Sequence, residues 1–235
     1  MPLGALEAHG PHNPVGCCYL LAESASKSVG EITGITVTPV IPFGVSTPYQ
    51  NFPGTITVQS HVLQEYVTDV CQSLIRTGYK KIIFFSAHGG NNLPVLKEIA
   101  LNLRRTDEVL CSVVHVWGMI GQLAQTYNWG EDVKMGHGGE PTTSTMLYLY
   151  PELVELEKRI AETKKNPIAN ITALSHERFL FDNLIFNIPL FAEEISDSSV
   201  LGDSSRTSAE IGRQLYESLI SNLVAFVQNF DSIDL

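Results

Sequence analysis

Apolar positions along the 235-residue chain follow two rhythms. From Gln59 to Gly78 they recur about every four residues, as Val62/Leu63, Tyr66/Val67, Val70/Cys71 and Leu74/Ile75. That spacing predicts an amphipathic helix closed by Gly78. Leu93–Arg105 predicts a second helix, with Asn91 or Asn92 as N-cap and Pro94 in its first turn. Thr207–Phe230 predicts a long third one, with Ile211, Leu215, Leu219, Leu223 and Phe226 on one stripe. A further apolar helix is expected after Thr142-Thr143-Ser144. The second rhythm is short and continuous. Lys81–Ser86 and Val109–Val116 read as strands buried on both faces, Ile35–Val40 as a β-branched strand, and Met1–Leu6 as the end of another. This alternation predicts an α/β fold over residues 1–235, a mostly parallel sheet flanked by helices in one domain. Lys164–Ser205 follows neither rhythm and reads as an irregular loop, a lid or an oligomer contact.

Composition narrows the class. Hydrophobic residues at 44% and charged residues at 17% describe a globular chain rather than a disordered one. A formal charge of −10 argues against general nucleic-acid or anionic-membrane binding. No apolar run approaches the roughly 20 residues of a membrane-spanning helix. No basic-then-apolar leader opens the sequence. Of the cysteines Cys17, Cys18, Cys71 and Cys111, two are adjacent, which does not suit a disulfide framework. A reducing, cytoplasmic setting is expected.

Candidate chemistry concentrates in three segments. Glu7-Ala8-His9-Gly10-Pro11-His12 follows the first strand, where residues two apart point the same way, so Glu7 and His9 can face one spot. Ser86-Ala87-His88-Gly89-Gly90-Asn91 lies at the carboxyl end of a strand, the edge where open α/β sheets bind ligands. Gly136-His137-Gly138-Gly139-Glu140 precedes a helix. Alone, each is compatible with a solvated strand end or a tight turn. Together they bring four of the seven histidines and two glutamates towards one sheet edge, a donor set that suits Zn, Mn or Fe. His61, His115 and His176 lack such a context and are expected to be ordinary surface or core residues.

These segments, in this order, resemble the creatininase (creatinine amidohydrolase) family. The segment from Glu7 to Gly16 is similar to its Glu-x-His-Gly-x-His-Leu-Pro motif, and Phe43–Ser46 with Asn51–Thr55 to its G-x-S…FPGT segment. His88–Asn91 resembles its HGGN, His137–Glu140 its HAGE, and Gly202–Gly212 the start of its C-terminal helix. The resemblance runs from residue 2 to about 225, and the family's first strand is expected to be missing. It implies a three-layer α/β fold and a divalent-metal centre, often dinuclear, that hydrolyses C–N bonds of small cyclic or linear amides. By position, Glu7, His9, His88 and Glu140 fall on metal-ligand places. His137 falls where a histidine protonates the leaving nitrogen, and Tyr49, Gly89, Gly90 and Thr142 fall on the substrate pocket. The expected partners are a small-molecule substrate and further copies of the chain, in a homo-oligomer that is commonly a hexamer.

Three positions depart from that pattern. Cys18 stands where the family usually has a metal-bridging aspartate, Thr142 where it has a glutamate, and Tyr49 where many members have a histidine. Cys18 is read as a metal ligand, as buried packing or as a nucleophile. Zinc is the expected ion, as one or two ions, or none if the site has lapsed. The competing expectation is a creatininase-like scaffold turned to cyclisation, dehydration or isomerisation, or a binding subunit.

Overall fold

The computed structural model describes residues 1–127, 129, 133–160 and 164–235. Its centre is a parallel sheet of β1 (Pro2–Leu3), β2 (Lys81–Ser86) and β3 (Leu110–His115), in that order. Both faces of β2 are used. Ile82 and Phe84 meet α2 (Ser60–Arg76) and α3 (Asn92–Asp107), where Leu63, Val67, Cys71, Leu96, Ile99 and Leu103 close one core with Leu3. Ile83 and Phe85 meet the other core, built from Leu21, Ala25, Val29, Ile120, Met146, Leu215, Leu219 and Leu223. Those residues lie on α1 (Cys17–Thr33), α4 (Val116–Ala124), α5 (Thr142–Leu149) and α6 (Ala209–Asp231). Helices therefore cover a parallel sheet on both sides, the α/β arrangement that continuous apolar strands require. Among the described residues, no helix is long and apolar enough to cross a membrane.

Two expectations change and a third is refined. Ile35–Val40 is not a strand; it runs as irregular chain to Ile41, which bridges Leu3. Pro39 and Pro42 lack the N–H that a ladder needs. Asn91 is the N-cap residue of α3, as expected, but makes no side-chain cap bond, and Asn92 Oδ1 accepts the Val45 N–H at 2.8 Å and pins the Phe43–Ser46 loop. Lys164–Ser205 is not irregular throughout. It contains an antiparallel sheet of β4 (Thr172–Ala173), β5 (Arg178–Phe181) and β6 (Leu184–Asn187), with its own small core of Ala173, Phe179, Ile195 and Leu201.

Candidate metal centre

The carboxyl ends of β1, β2 and β3 open into one cavity of about 350 Å³. The chain past β1 brings Glu7 and His9, the turn after β2 brings His88, and β3 leads through His115 to Trp117 on α4. The turn before α5 adds His137, Glu140 and Thr142, and the 3₁₀ turn Thr47–Tyr49 adds Tyr49. Cys18, in the first turn of α1, closes the floor. Glu7, His9, Cys18, Tyr49, His88, Gly89, Gly90, His137, Glu140 and Thr142, the site positions taken from the family resemblance, line this space. Motif residues outside the cavity hold it in shape. The Ala8 N–H donates to Thr55 Oγ1, and Asn13 Nδ2 donates to the carbonyls of His9 and Gly138, tying two of the loops together. Gly138 has φ +70°, and a Cβ there would stand 2.9 Å from the His9 carbonyl oxygen, so only glycine fits.

Each of the three central imidazoles spends one nitrogen on a main-chain carbonyl. His9 Nδ1 donates to the Glu7 carbonyl at 2.8 Å, His88 Nε2 to Val45 at 3.1 Å, and His137 Nε2 to Ala8 at 2.8 Å. The opposite nitrogens, His9 Nε2, His88 Nδ1 and His137 Nδ1, keep their lone pairs. This tethering is how metal-binding histidines are usually oriented. The Glu7 carboxylate lies among them, with Oε1 3.9 Å from His137 Nδ1 and Oε2 3.9 Å from His88 Nε2. Glu7, His9 and His137 each offer a donor within 4.8 Å of the others. Cys18 Sγ lies 3.9 Å from His9 Nε2 and 3.7 Å from His88 Nδ1. The donor set of buried carboxylate, imidazoles and thiol therefore fits a divalent cation.

Electrostatics agree with that reading. Burial, then the charge of neighbouring His9, hold His137 down to about 3, so its ring is neutral at pH 7. Burial also lowers His9. Burial alone would raise Glu7, but the facing imidazoles of His88, His137 and His9, with a Ser46 hydrogen bond, outweigh it and keep the carboxylate ionised. Buried Glu7 and His9 and half-buried His137 thus present negative charge or lone pairs to the cavity.

Glu140 lies apart from this group. Its Oε1 accepts the Thr207 hydroxyl at 2.6 Å and its Oε2 the Ser144 N–H at 3.3 Å, and burial raises its pKa. Tyr49 stacks on His137, with ring centres 4.2 Å apart, and meets His176 edge-on. His12 does not reach the cavity; it is buried beside Thr143 and Asn13. His115 and His176, expected to be ordinary, both line it. No motif marks them, because strand register and the β4–β5 turn, rather than local spacing, place them there.

A family model for creatininase, creatinine amidohydrolase, matches residues 1–227. The chain belongs to the creatininase family. It is 30% identical to creatinine amidohydrolase from Pseudomonas putida over 174 residues, 67% of this chain and 66% of that protein. It is 25% identical to a mycofactocin precursor peptide peptidase from Mycobacterium ulcerans over 234 residues, 96% of this chain and 82% of that one. Among solved structures, a creatinine amidohydrolase superposes with a TM-score of 0.77 at 25% identity, covering 99% of this chain and 90% of that one. A mutant creatininase of Zn-Zn type superposes at 0.75 and 25% identity, covering 97% and 88%.

Proposed function

We propose that the protein is a metal-dependent hydrolase of C–N bonds in small amides, with Glu7, His9 and His88 holding the metal and His137 moving the proton. The observation that carries this is the buried Glu7 carboxylate beside buried His9 and half-buried His137, with His88 next to them, each ring tethered to a main-chain carbonyl through one nitrogen and left with the other free. His137 stacks on His9, with ring centres 4.1 Å apart and planes 22° from parallel. His137 shares the donor cluster of Glu7 and His9, and its assignment to the proton rather than to the metal follows the family resemblance.

A bound divalent metal would polarise the amide carbonyl and bring the pKa of water towards ~7. The chain does the rest. His137 is neutral, so it begins as a base: Nδ1 takes the proton of the attacking water and then delivers it to the leaving nitrogen, which is a poor leaving group until protonated. The bond from Nε2 to Ala8 and the flanking rings of Tyr49 and His9 hold Nδ1 in position during both transfers. A cavity of about 350 Å³ suits a small ring or the end of a short peptide. The relatives named for creatinine and for a precursor peptide support a C–N bond as the target.

Elemental analysis of protein purified without chelator, with a panel of creatinine, other cyclic amides and short peptides, tests this. Near-stoichiometric transition metal, and turnover lost on chelation and restored by Zn or Mn, are expected. Metal below about a tenth of an equivalent, with no turnover restored, would refute the metal-dependent reading.

A further inference from the structure

We propose that Cys18 supplies a thiolate ligand to the metal centre and makes that centre selective for zinc over manganese. The inference rests on the metal-centre reading above and concerns the one floor position where this chain departs from its family's carboxylate. Cys18 is buried, and its Sγ lies near two of the three free ring nitrogens, 3.9 Å from His9 Nε2 and 3.7 Å from His88 Nδ1. Zinc–sulfur and zinc–nitrogen bonds of about 2.3 and 2.0–2.1 Å, meeting at a tetrahedral angle, place ligand atoms about 3.6 Å apart. Sγ therefore already stands near ligand separation from each imidazole.

The buried indole N–H of Trp117, on the same cavity wall, has no hydrogen-bond acceptor among the described residues. Cys18 also stands in the first turn of the 17-residue helix α1, where the unpaired N–H groups stabilise negative charge. Burial, Glu7 and Cys17 push the free thiol the other way, so the anion needs a cation beside it. On binding, the S–H bond is replaced by a sulfur–metal bond and the proton leaves to solvent; no electron changes hands. Thiolate is soft and suits zinc, whereas manganese is better served by carboxylate oxygen. No other cysteine competes for the role. Cys17 Sγ donates to the Pro14 carbonyl, and Cys71 and Cys111 belong to the core on the α2–α3 side.

Cobalt(II) loaded into the full-length, chelator-stripped protein is the probe. Wild type is expected to show a sulfur-to-cobalt charge-transfer band in the near ultraviolet and to bind Zn well ahead of Mn in competition. In Cys18→Asp, with its fold checked by circular dichroism, the band should vanish and the preference for Zn over Mn should fall by at least roughly tenfold. Cobalt bound by wild type without the band, a band unchanged in the variant, or an unchanged Zn/Mn preference would overturn the proposal while leaving a metal centre standing. Absence of any cobalt or zinc binding by wild type would overturn the metal-centre reading and this proposal with it. If Cys18→Asp does not fold, the wild-type spectrum and the Zn/Mn competition still decide.

Discussion

His137 and Glu7 sit 3.9 Å apart and are expected to fail in different ways. Replacing Glu7 by Gln removes the charge at the centre of the donor group, so metal content should drop and activity with it. Replacing His137 by Asn removes the stacked ring proposed to move the proton. Metal content should hold while kcat falls by about 10²- to 10⁴-fold, the range for loss of a general acid–base group. Metal analysis and steady-state kinetics on the two variants separate the roles; metal lost from His137→Asn would make it a ligand instead. At this scale the sequence was informative wherever a histidine or glutamate sits in a glycine-rich turn, because such turns are local. It was blind to His115, Trp117 and His176, which reach the cavity through strand register and a distant turn.

Among elements, the readable ones are those with one dominant rhythm. β2 matches its expected span, and α2, α3 and α6 lie within a few residues of theirs. Helix α1 was not anticipated. Its buried positions Leu21, Ala25 and Val29 are helically spaced, but Ala, Ser and Gly dilute the stripe. The β5–β6 hairpin carried a signal that apolar content hid: Asp182 and Asn183, the two residues between the strands, have φ of +48° and +62°, the left-handed pair of a type I′ turn. The same scale explains the last family motif. Gly212 on α6 faces the backbone of α5, where a Cβ would stand 1.9 Å from the Ser144 carbonyl oxygen. Gly212→Ala forces the helices apart and should cost about 1–3 kcal/mol, the usual range for overpacking. Denaturant unfolding measures it; a midpoint unchanged from wild type would show that the α5–α6 contact has slack.

At the scale of the whole molecule, exposed apolar side chains among the described residues gather on the hairpin. Phe179 is buried, so part of this apolar segment folds back on its own chain. Leu184, Ile185, Phe186 and Phe181 remain about half exposed or more. β6 is also the outer strand of its sheet, with a row of backbone groups open to pairing. An exposed apolar edge of this kind invites association, and the occupant we propose is a second copy of the chain, as the family resemblance implies. Light scattering at micromolar concentration should give a multiple of the monomer mass, six copies by family resemblance. Ile185→Lys with Phe186→Glu should reduce it without unfolding the protein, since both side chains are already exposed. His176 and Glu177 stand immediately before β5 and line the cavity. An assembly that braces β6 therefore also braces one wall of the candidate active site. The dissociated variant should accordingly raise KM more than it lowers kcat, because the candidate metal-binding floor on the parallel sheet is untouched. A monomer mass for the wild type would reject assembly, and a large kcat loss at constant KM in the variant would reject the coupling.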